Sequence, residues 1–287
     1  MFKQEEFMGR RILKSSLIED DEVVAFFTTR DLPLKSGERD DLMAEVENNK
    51  KIVCEGLGIW LEDLVIPIQT HSDNVGVVKR GKDAKRHRCI ELCHCEEGND
   101  EAIQKENCSP IHLFTYSPFE NTDALVTNEH QIALALNFAD CVPLIFYDPV
   151  KKVVASAHAG WKGTVAKIGV KTVQKMVDEF GSKAENIIAL IGPAIGKCCF
   201  EVKDDVKAKL FGTIDKLQQA EVCDGNNLDL KQINKIQLLA NGVKKIDVCE
   251  YCTSCQNELF FSYRKENGNC ARHSAVIMKR GEEVISL

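Results

Sequence analysis

The 287-residue sequence lacks both long hydrophobic runs and an excess of basic residues, and each absence excludes a class of function. No stretch approaches the roughly 20 consecutive apolar residues that a membrane-spanning helix requires. Residues 1–15 are too charged to form the apolar segment of a secretory signal peptide. The net charge of −7 argues against nucleic-acid binding, because a phosphate backbone requires a basic protein surface. The sequence therefore predicts a soluble, cytoplasmic protein whose partners include neither a membrane nor a nucleic acid.

Histidine is scarce, with seven residues, whereas cysteine is abundant, with 13. An odd number of cysteines in a chain without a signal peptide favours reduced thiols and metal ligands over a disulfide framework. With 44% apolar residues the chain can bury a large core, and we expect residues 1–287 to form a single domain. Within it, residues 79–120 are polar and irregular, which predicts an insertion loop. Its cysteines Cys89, Cys93 and Cys95 could bind a second metal, or they could have no function.

Regular secondary structure is predicted mainly in the second half of the chain. Apolar runs rich in β-branched residues predict strands, and apolar residues at helical spacing predict helices. The expected strands span 132–136, 142–147, 153–157, 187–191 and 274–278, and the expected helices span 165–180, 202–211 and 228–242. The result is a mostly buried sheet with strand–turn–helix units.

Three residues next to apolar runs are candidate metal ligands. Cys141 lies between two predicted strands, His158 follows the next one, and His71 follows an earlier apolar run. Functional groups gather beyond the ends of strands, so we expect Cys141 and His158 to converge. One thiolate and two imidazoles suit Zn²⁺ or copper, and three protein ligands leave a fourth position open, as in catalytic sites. The alternative is that each is a packed core residue, as isolated His and Cys usually are.

Several short motifs occur in the order found in one protein family. They are Thr-His-Ser, Asp-Ala-Leu-Val-Thr, Ala-Asp-Cys-Val-Pro, Ala-His-Ala-Gly-Trp-Lys-Gly, Ile-Gly-Pro-Ala-Ile-Gly and Cys-Thr followed by Phe-Phe-Ser-Tyr-Arg. In these motifs the sequence resembles the YfiH/laccase-domain family of zinc-dependent purine nucleoside phosphorylases, over most of the chain from about Phe26. The resemblance implies an α+β fold, with a single domain of four α/β/β/α layers and mixed β-sheets.

The resemblance also implies site residues and activities. The family's metal ligands fall on His71, Cys141 and His158, and its active-site arginine falls on Arg30. The implied reactions are phosphorolysis of adenosine, inosine, guanosine and S-methyl-5'-thioadenosine, and deamination of adenosine. The sequence departs from the family at Phe200, where many relatives have Tyr, and at residues 270–272, where Cys-Ala-Arg replaces Thr-Gly-Arg.

Each implied reaction assigns further roles. In deamination, water activated by zinc attacks C6 of adenine, and Asp140 or Asp123 could carry the proton unless these residues only cap turns. In phosphorolysis, cationic and backbone N–H donors must hold phosphate and substrate. The candidate donors are Arg30, Arg264 and the turn containing Gly160 and Gly163, and Asp123 is a further candidate for substrate binding. The alternative is that the glycines only permit a tight turn and that Arg264 only braces a carboxylate.

Other functions remain open at this point. A copper-dependent polyphenol oxidase fits the donor set, but multicopper oxidases use more imidazoles than seven and no Met lies near the ligand motifs. A cysteine hydrolase would use Cys141 activated by His158, and a non-catalytic interaction module would hold a structural zinc. The chain could also be a homodimer.

A run of cysteines near the C-terminus raises the possibility of another metal site. Cys249, Cys252 and Cys255 form Cys-x-x-Cys-x-x-Cys, which together with Cys270 could bind zinc through four thiolates. We favour a packing role for this run, because structural zinc sites usually show two paired motifs.

Overall fold

The computed structural model describes residues 1–80 and 119–281. Two six-stranded sheets stack face to face, and helices cover both outer surfaces. Most of the predicted insertion, including Cys89, Cys93 and Cys95, lies outside the described residues. In the described part of the chain, no helix is both long enough and apolar enough to cross a membrane.

The first sheet has the strand order β1-β2-β3-β14-β7-β4. Its strands are β1 (Phe2–Phe7), β2 (Arg10–Ser15), β3 (Val23–Thr28), β4 (Leu64–Val65), β7 (Ala133–Phe138) and β14 (His273–Lys279). All neighbouring pairs are antiparallel except β4 and β7, which are parallel.

The second sheet has the order β13-β10-β8-β9-β6-β5. Its strands are β5 (Val75–Val77), β6 (Ala124–Thr127), β8 (Val142–Asp148), β9 (Val153–Ala159), β10 (Ile188–Ile191) and β13 (Lys245–Val248). The outer pairs, β10 with β13 and β5 with β6, are parallel, and the inner pairs are antiparallel. A small hairpin, β11 (Cys223–Asp224) with β12 (Asn227–Leu228), lies apart from both sheets.

In the described residues five α-helices flank the sheets, and local signals fix the ends of two of them. They are α1 (Met43–Leu57), α2 (Trp161–Val165), α3 (Ile168–Phe180), α4 (Asp204–Phe211) and α5 (Leu230–Ala240). Gly181, with φ of 67°, ends α3, since a left-handed residue at this position costs glycine little. Asp229 caps α5 by accepting a hydrogen bond from the backbone N–H of Gln232 at 2.9 Å.

Three apolar clusters separate the layers. Phe27, Leu136 and Ile277 of the first sheet pack with Ile145 and Val154 of the second in the central cluster. The outer face of the second sheet packs against α2 to α5, and the outer face of the first sheet packs against α1. Strands β8 and β9 are buried along their whole length, because apolar layers cover both of their faces. The predicted four-layer α/β/β/α fold with mixed sheets is confirmed.

The predicted helix at 165–180 is wrong in one detail. Lys167 adopts a left-handed conformation with φ of 57°, which separates the short helix α2 from α3. The apolar spacing continues through this position, so the pattern alone does not reveal the break. The short helix α2 matters for the site, because it begins directly after Gly160.

Candidate metal centre

The antiparallel pairing of β6, β8 and β9 brings three chain segments to one end of the second sheet. Cys141 directly precedes β8, and His158 lies near the end of β9, where it pairs with Pro143. Asp123 directly precedes β6, and its carbonyl oxygen accepts a hydrogen bond from the N–H of His158 at 2.7 Å. His71 lies on the loop before β5, with a left-handed φ of 61°. The topology therefore gathers residues that are far apart in sequence.

His71, Cys141 and His158 converge as potential metal ligands. One donor atom from each lies within 4.8 Å of the other two, and Cys141 Sγ lies 3.8 Å from His71 Nε2. Tetrahedral zinc, with bonds of about 2.0–2.3 Å, requires ligand atoms to lie roughly 3.3–3.8 Å apart. The distance from Cys141 Sγ to His71 Nε2, 3.8 Å, falls in this range. Within the described residues, this group offers three ligands and so leaves a coordination position for a small molecule.

Gly160 makes room for the ligand set. A Cβ atom at this position would lie 2.8 Å from Cys141 Sγ and 3.0 Å from His71 Cδ2. Gly163 is also tightly packed, since its Cβ would lie 3.1 Å from the carbonyl oxygen of His158. Both glycines are thus required by close packing around the ligands. The anion-binding role predicted for their turn stays a prediction.

Asp123 anchors two of the three ligands. Its fully buried carboxylate lies 2.7 Å from His158 Nδ1, which directs Nε2 of the same ring toward the site. It also accepts hydrogen bonds from the backbone N–H groups of Thr70, His71 and Ser72, at 3.1, 3.1 and 2.6 Å. Burial alone would raise the pKa of Asp123, but hydrogen bonds from His158 and Ser72 lower it to about 2. This geometry favours an orienting role over the substrate-binding or proton-carrying role predicted for Asp123.

Cys141 and His158 favour each other's charged forms. Burial alone would raise the pKa of the Cys141 thiol, but the charge of His158 and hydrogen bonds from both histidines lower it to about 6. Burial would lower the pKa of His158, but the Cys141 thiolate and Asp123 raise it to about 9. A thiolate at neutral pH is the form in which cysteine binds metals.

Asp140 directs its carboxylate away from solvent. One oxygen accepts from the hydroxyl of Thr253 at 2.7 Å, and the other accepts from the backbone N–H of Arg264 at 2.6 Å. Asp140 also has a left-handed φ of 80°, which turns the chain sharply before Cys141. The carboxylate thus braces the neighbouring loops, while its predicted role as a proton carrier stays a prediction.

The two arginines predicted to bind substrate both contact protein acceptors. Arg30 donates to Glu266 Oε2 at 2.6 Å and to the carbonyl oxygen of Asn257 at 2.8 Å, and its guanidinium lies 4.4 Å from the ring centre of Phe261. Arg264 donates to the carbonyl oxygens of Cys199 and Glu201, at 3.1 and 3.2 Å. Their roles toward substrate stay predictions.

Lys35 is a candidate that sequence patterns did not reveal. Burial and the neighbouring Arg272 lower the pKa of its ammonium, while the charges of Glu38 and Asp123 oppose that shift. An antiparallel bridge between Lys35 and Arg272 places the two cations side by side. Arg272 lies in the motif at residues 270–272 that departs from the family, but Lys35 lies in no recognised motif, and the bridge joins segments more than 200 residues apart. The charge of Asp123 acts on Lys35, so this ammonium lies within electrostatic range of the carboxylate that orients His158.

The four-thiolate set of Cys249, Cys252, Cys255 and Cys270, which the sequence raised as a possibility, is not brought together. Cys249 lies in the cluster between the sheets, and Cys270 lies in a separate small cluster near the C-terminus. Of these four, Cys252 and Cys255 cluster with other cysteines within the described residues, and those cysteines are on a different loop. Cysteines that are close in this sequence run therefore lie in different parts of the fold.

The fold agrees with comparisons to known proteins. Residues 27–280 match the family described as multi-copper polyphenol oxidoreductase laccase. The chain belongs to this laccase family. Purine nucleoside phosphorylase YlmD of Geobacillus stearothermophilus is 43% identical over 248 residues, which cover 84% of this chain and 81% of the relative. The family member named adenosine deaminase RL5, from an unknown prokaryotic organism, is 33% identical over 222 residues, which cover 75% of each chain.

A solved structure in the family has the same fold. The crystal structure of the hypothetical protein YfiH of Bacillus licheniformis superposes with a TM-score of 0.74 at 33% identity. The match covers 94% of this chain and 96% of that one. The family resemblance of the sequence is thereby confirmed, and the possible metal site fits a family whose description names a metal.

Proposed function

We propose that this protein is a zinc-dependent purine nucleoside phosphorylase that also deaminates adenosine. The observation that carries the proposal is the convergence of His71, Cys141 and His158 within 4.8 Å, at a site with a position left for substrate. The names of two relatives, a purine nucleoside phosphorylase and an adenosine deaminase, support nucleosides as substrates. The proposed substrates are adenosine, inosine, guanosine and S-methyl-5'-thioadenosine, with phosphate as the second reactant.

Zinc fits the donor set better than copper does. One thiolate and two imidazoles form a site of borderline softness, and a bound zinc ion would supply Lewis-acid activation at neutral pH. No methionine lies next to the ligand motifs in the sequence, whereas electron-transfer copper sites commonly add an axial methionine. Copper remains the alternative that the family description raises. Metal analysis of protein purified without added copper distinguishes the two.

Different residues around the ligands are proposed to act in the two reactions. In phosphorolysis the bond from C1′ to the purine breaks and a phosphate oxygen bonds to C1′, so cations must hold the phosphate in place. Arg30, Arg264 and Lys35 are the proposed cations. In deamination water replaces the amino group at C6 and ammonia leaves. Asp123 keeps His158 in one orientation during both reactions, and Asp140 is the proposed proton carrier.

A direct assay tests the proposal. Purified protein is incubated with adenosine, with and without phosphate, and products are separated by chromatography. Free adenine with ribose 1-phosphate demonstrates phosphorolysis, and inosine formed without phosphate demonstrates deamination. If neither product forms with the zinc-loaded protein, the proposal is wrong.

The lowered pKa of the Cys141 thiol favours a second candidate, a cysteine hydrolase. A thiol whose pKa is lowered to about 6 by neighbouring imidazoles has the character of an activated nucleophile. Metal binding would occupy the same sulfur and suppress this reactivity. Alkylation of Cys141 by iodoacetamide in the metal-loaded protein at the rate of the metal-free protein would favour the hydrolase.

A further inference from the structure

Four cysteines meet at a second place in the molecule, on two loops outside the ligand set described above. The cluster consists of Cys198 and Cys199 on the loop after β10, and Cys252 and Cys255 on the loop after β13. The four sulfur atoms all lie within 4.8 Å of one another. Cys255 Sγ lies 3.5 Å from the sulfur of Cys198 and 3.5 Å from that of Cys199.

These distances match a tetrahedral site of four thiolates. Zinc–sulfur bonds of about 2.3 Å place the sulfurs of such a site roughly 3.8 Å apart. A disulfide would need only two sulfurs, at about 2.05 Å. Here one sulfur is equidistant from two others, and a fourth completes the group, so a single disulfide would leave half of the cluster unexplained. All four are free thiols in the structure.

The backbone around the cluster supports thiolate ligands. The N–H of Gly196 donates to Cys252 Sγ at 3.2 Å, and a donor directed at sulfur stabilises its charged form. A Cβ atom at Gly196 would lie 3.2 Å from Cys252 Cβ and 3.3 Å from Cys198 Sγ. A glycine therefore lets the two loops approach closely enough for four sulfurs to meet. Cys252 is buried, whereas Cys198 and Cys255 are exposed, so an ion could enter from solvent.

We infer that Cys198, Cys199, Cys252 and Cys255 bind a structural Zn²⁺ ion, distinct from the one proposed at His71. All four coordination positions are filled by protein, so this ion has no place for substrate. The loops already touch through a bridge between Ala194 and Cys252 and a hydrogen bond from Thr253 N–H to the Ala194 carbonyl oxygen at 3.1 Å. The ion cross-links them.

The proposed cross-link connects to the site of His71, Cys141 and His158 through neighbouring residues. Thr253, next to Cys252, donates to Asp140, which precedes the ligand Cys141. The carbonyl oxygen of Cys199 accepts from the Arg264 guanidinium. The ion therefore fixes the loops that hold Asp140 and Arg264. Its four ligands position these two residues and do not themselves contact substrate.

Zinc stoichiometry tests the inference. The full-length chain is purified without added metal, and zinc per chain is measured by plasma mass spectrometry for the wild type, Cys252→Ser and the double variant Cys198→Ser/Cys255→Ser. Each variant should lose one equivalent of zinc. The matched controls Cys249→Ser and Cys270→Ser, at buried cysteines outside the cluster, should lose none. Unchanged zinc in folded cluster variants would overturn the inference.

X-ray absorption at the zinc edge tests it without altering the cluster. In His71→Ala/His158→Ala, the remaining zinc should show an all-sulfur shell at about 2.3 Å. A shell rich in nitrogen or oxygen, or the absence of zinc, would overturn the inference even if the cysteine variants fail to fold. So would copper in place of zinc, or a peptide linking Cys255 to Cys198 or Cys199 by a disulfide in protein purified anaerobically.

Discussion

The substitution Gly160→Ala tests whether His71 and Cys141 serve as ligands of one ion. The added Cβ would lie 2.8 Å from Cys141 Sγ and 3.0 Å from His71 Cδ2, whereas ordinary contacts begin at 3.4 Å. The difference for the sulfur is 3.4 − 2.8 = 0.6 Å, so one of the two groups must move by that amount. Gly160 has φ of −63°, which alanine adopts without strain, and the contact is therefore the only expected effect.

The displacement exceeds what a zinc site tolerates, because metal–ligand distances vary by only about 0.2 Å. We expect zinc affinity to fall by about 10–100-fold, or roughly 1.4–2.8 kcal/mol, a loss typical of changes around metal ligands. The assay is chelator competition, with melting temperature measured in parallel. Gly212→Ala is the matched control, since its nearest neighbours would lie at 3.4 Å and it is remote in sequence from the ligands. Wild-type zinc affinity in Gly160→Ala would refute the assigned ligand geometry.

Three further predictions address the ligands, the thiolate and Arg30. His71→Ala, Cys141→Ala and His158→Ala should each lose most bound zinc and activity while staying folded, and full occupancy in any of them would remove that residue from the ligand set. After metal removal the rate of Cys141 alkylation should rise with pH through about 6 and then level off, since the thiolate is the reactive form; a midpoint near 9 would contradict the lowered pKa of this thiol. Arg30→Lys should lower phosphorolysis by about 10–100-fold and deamination less, because lysine lacks the planar fork that binds an oxyanion. Arg11→Lys, in the exposed pair with Asp31, is the control, and an equal fall in both activities would place Arg30 on the nucleoside.

Burial explains which strands could be predicted. β8 and β14 are covered on both faces, so their apolar residues form continuous runs that stand out in the sequence. β1 has exposed charged residues along most of its length and pairs only with β2, so its sequence resembles a surface loop. Its strand conformation depends on the hairpin partner, which a local pattern does not contain.

The candidate ligands could be proposed from motifs, but the contacts that hold them could not. Asp123 receives hydrogen bonds from residues about 50 positions earlier and from His158, 35 positions later. The cysteine cluster joins loops more than 50 residues apart, and the periodic spacing of Cys249, Cys252 and Cys255 suggested the wrong partners. In each case the sheet topology brings together residues that are far apart in the chain. The neighbouring sequence therefore does not reveal the contact.

The buried carboxylate of Asp123 has a consequence for the kinetics of metal exchange. It fastens the backbone of Thr70, His71 and Ser72 from inside the protein, and it does so through bonds that need no ion. The free protein therefore retains its coordination geometry, and uptake of an ion requires desolvation and loss of a proton but no loop folding. Reloading should be fast and first order in metal, without the lag that a folding step would impose.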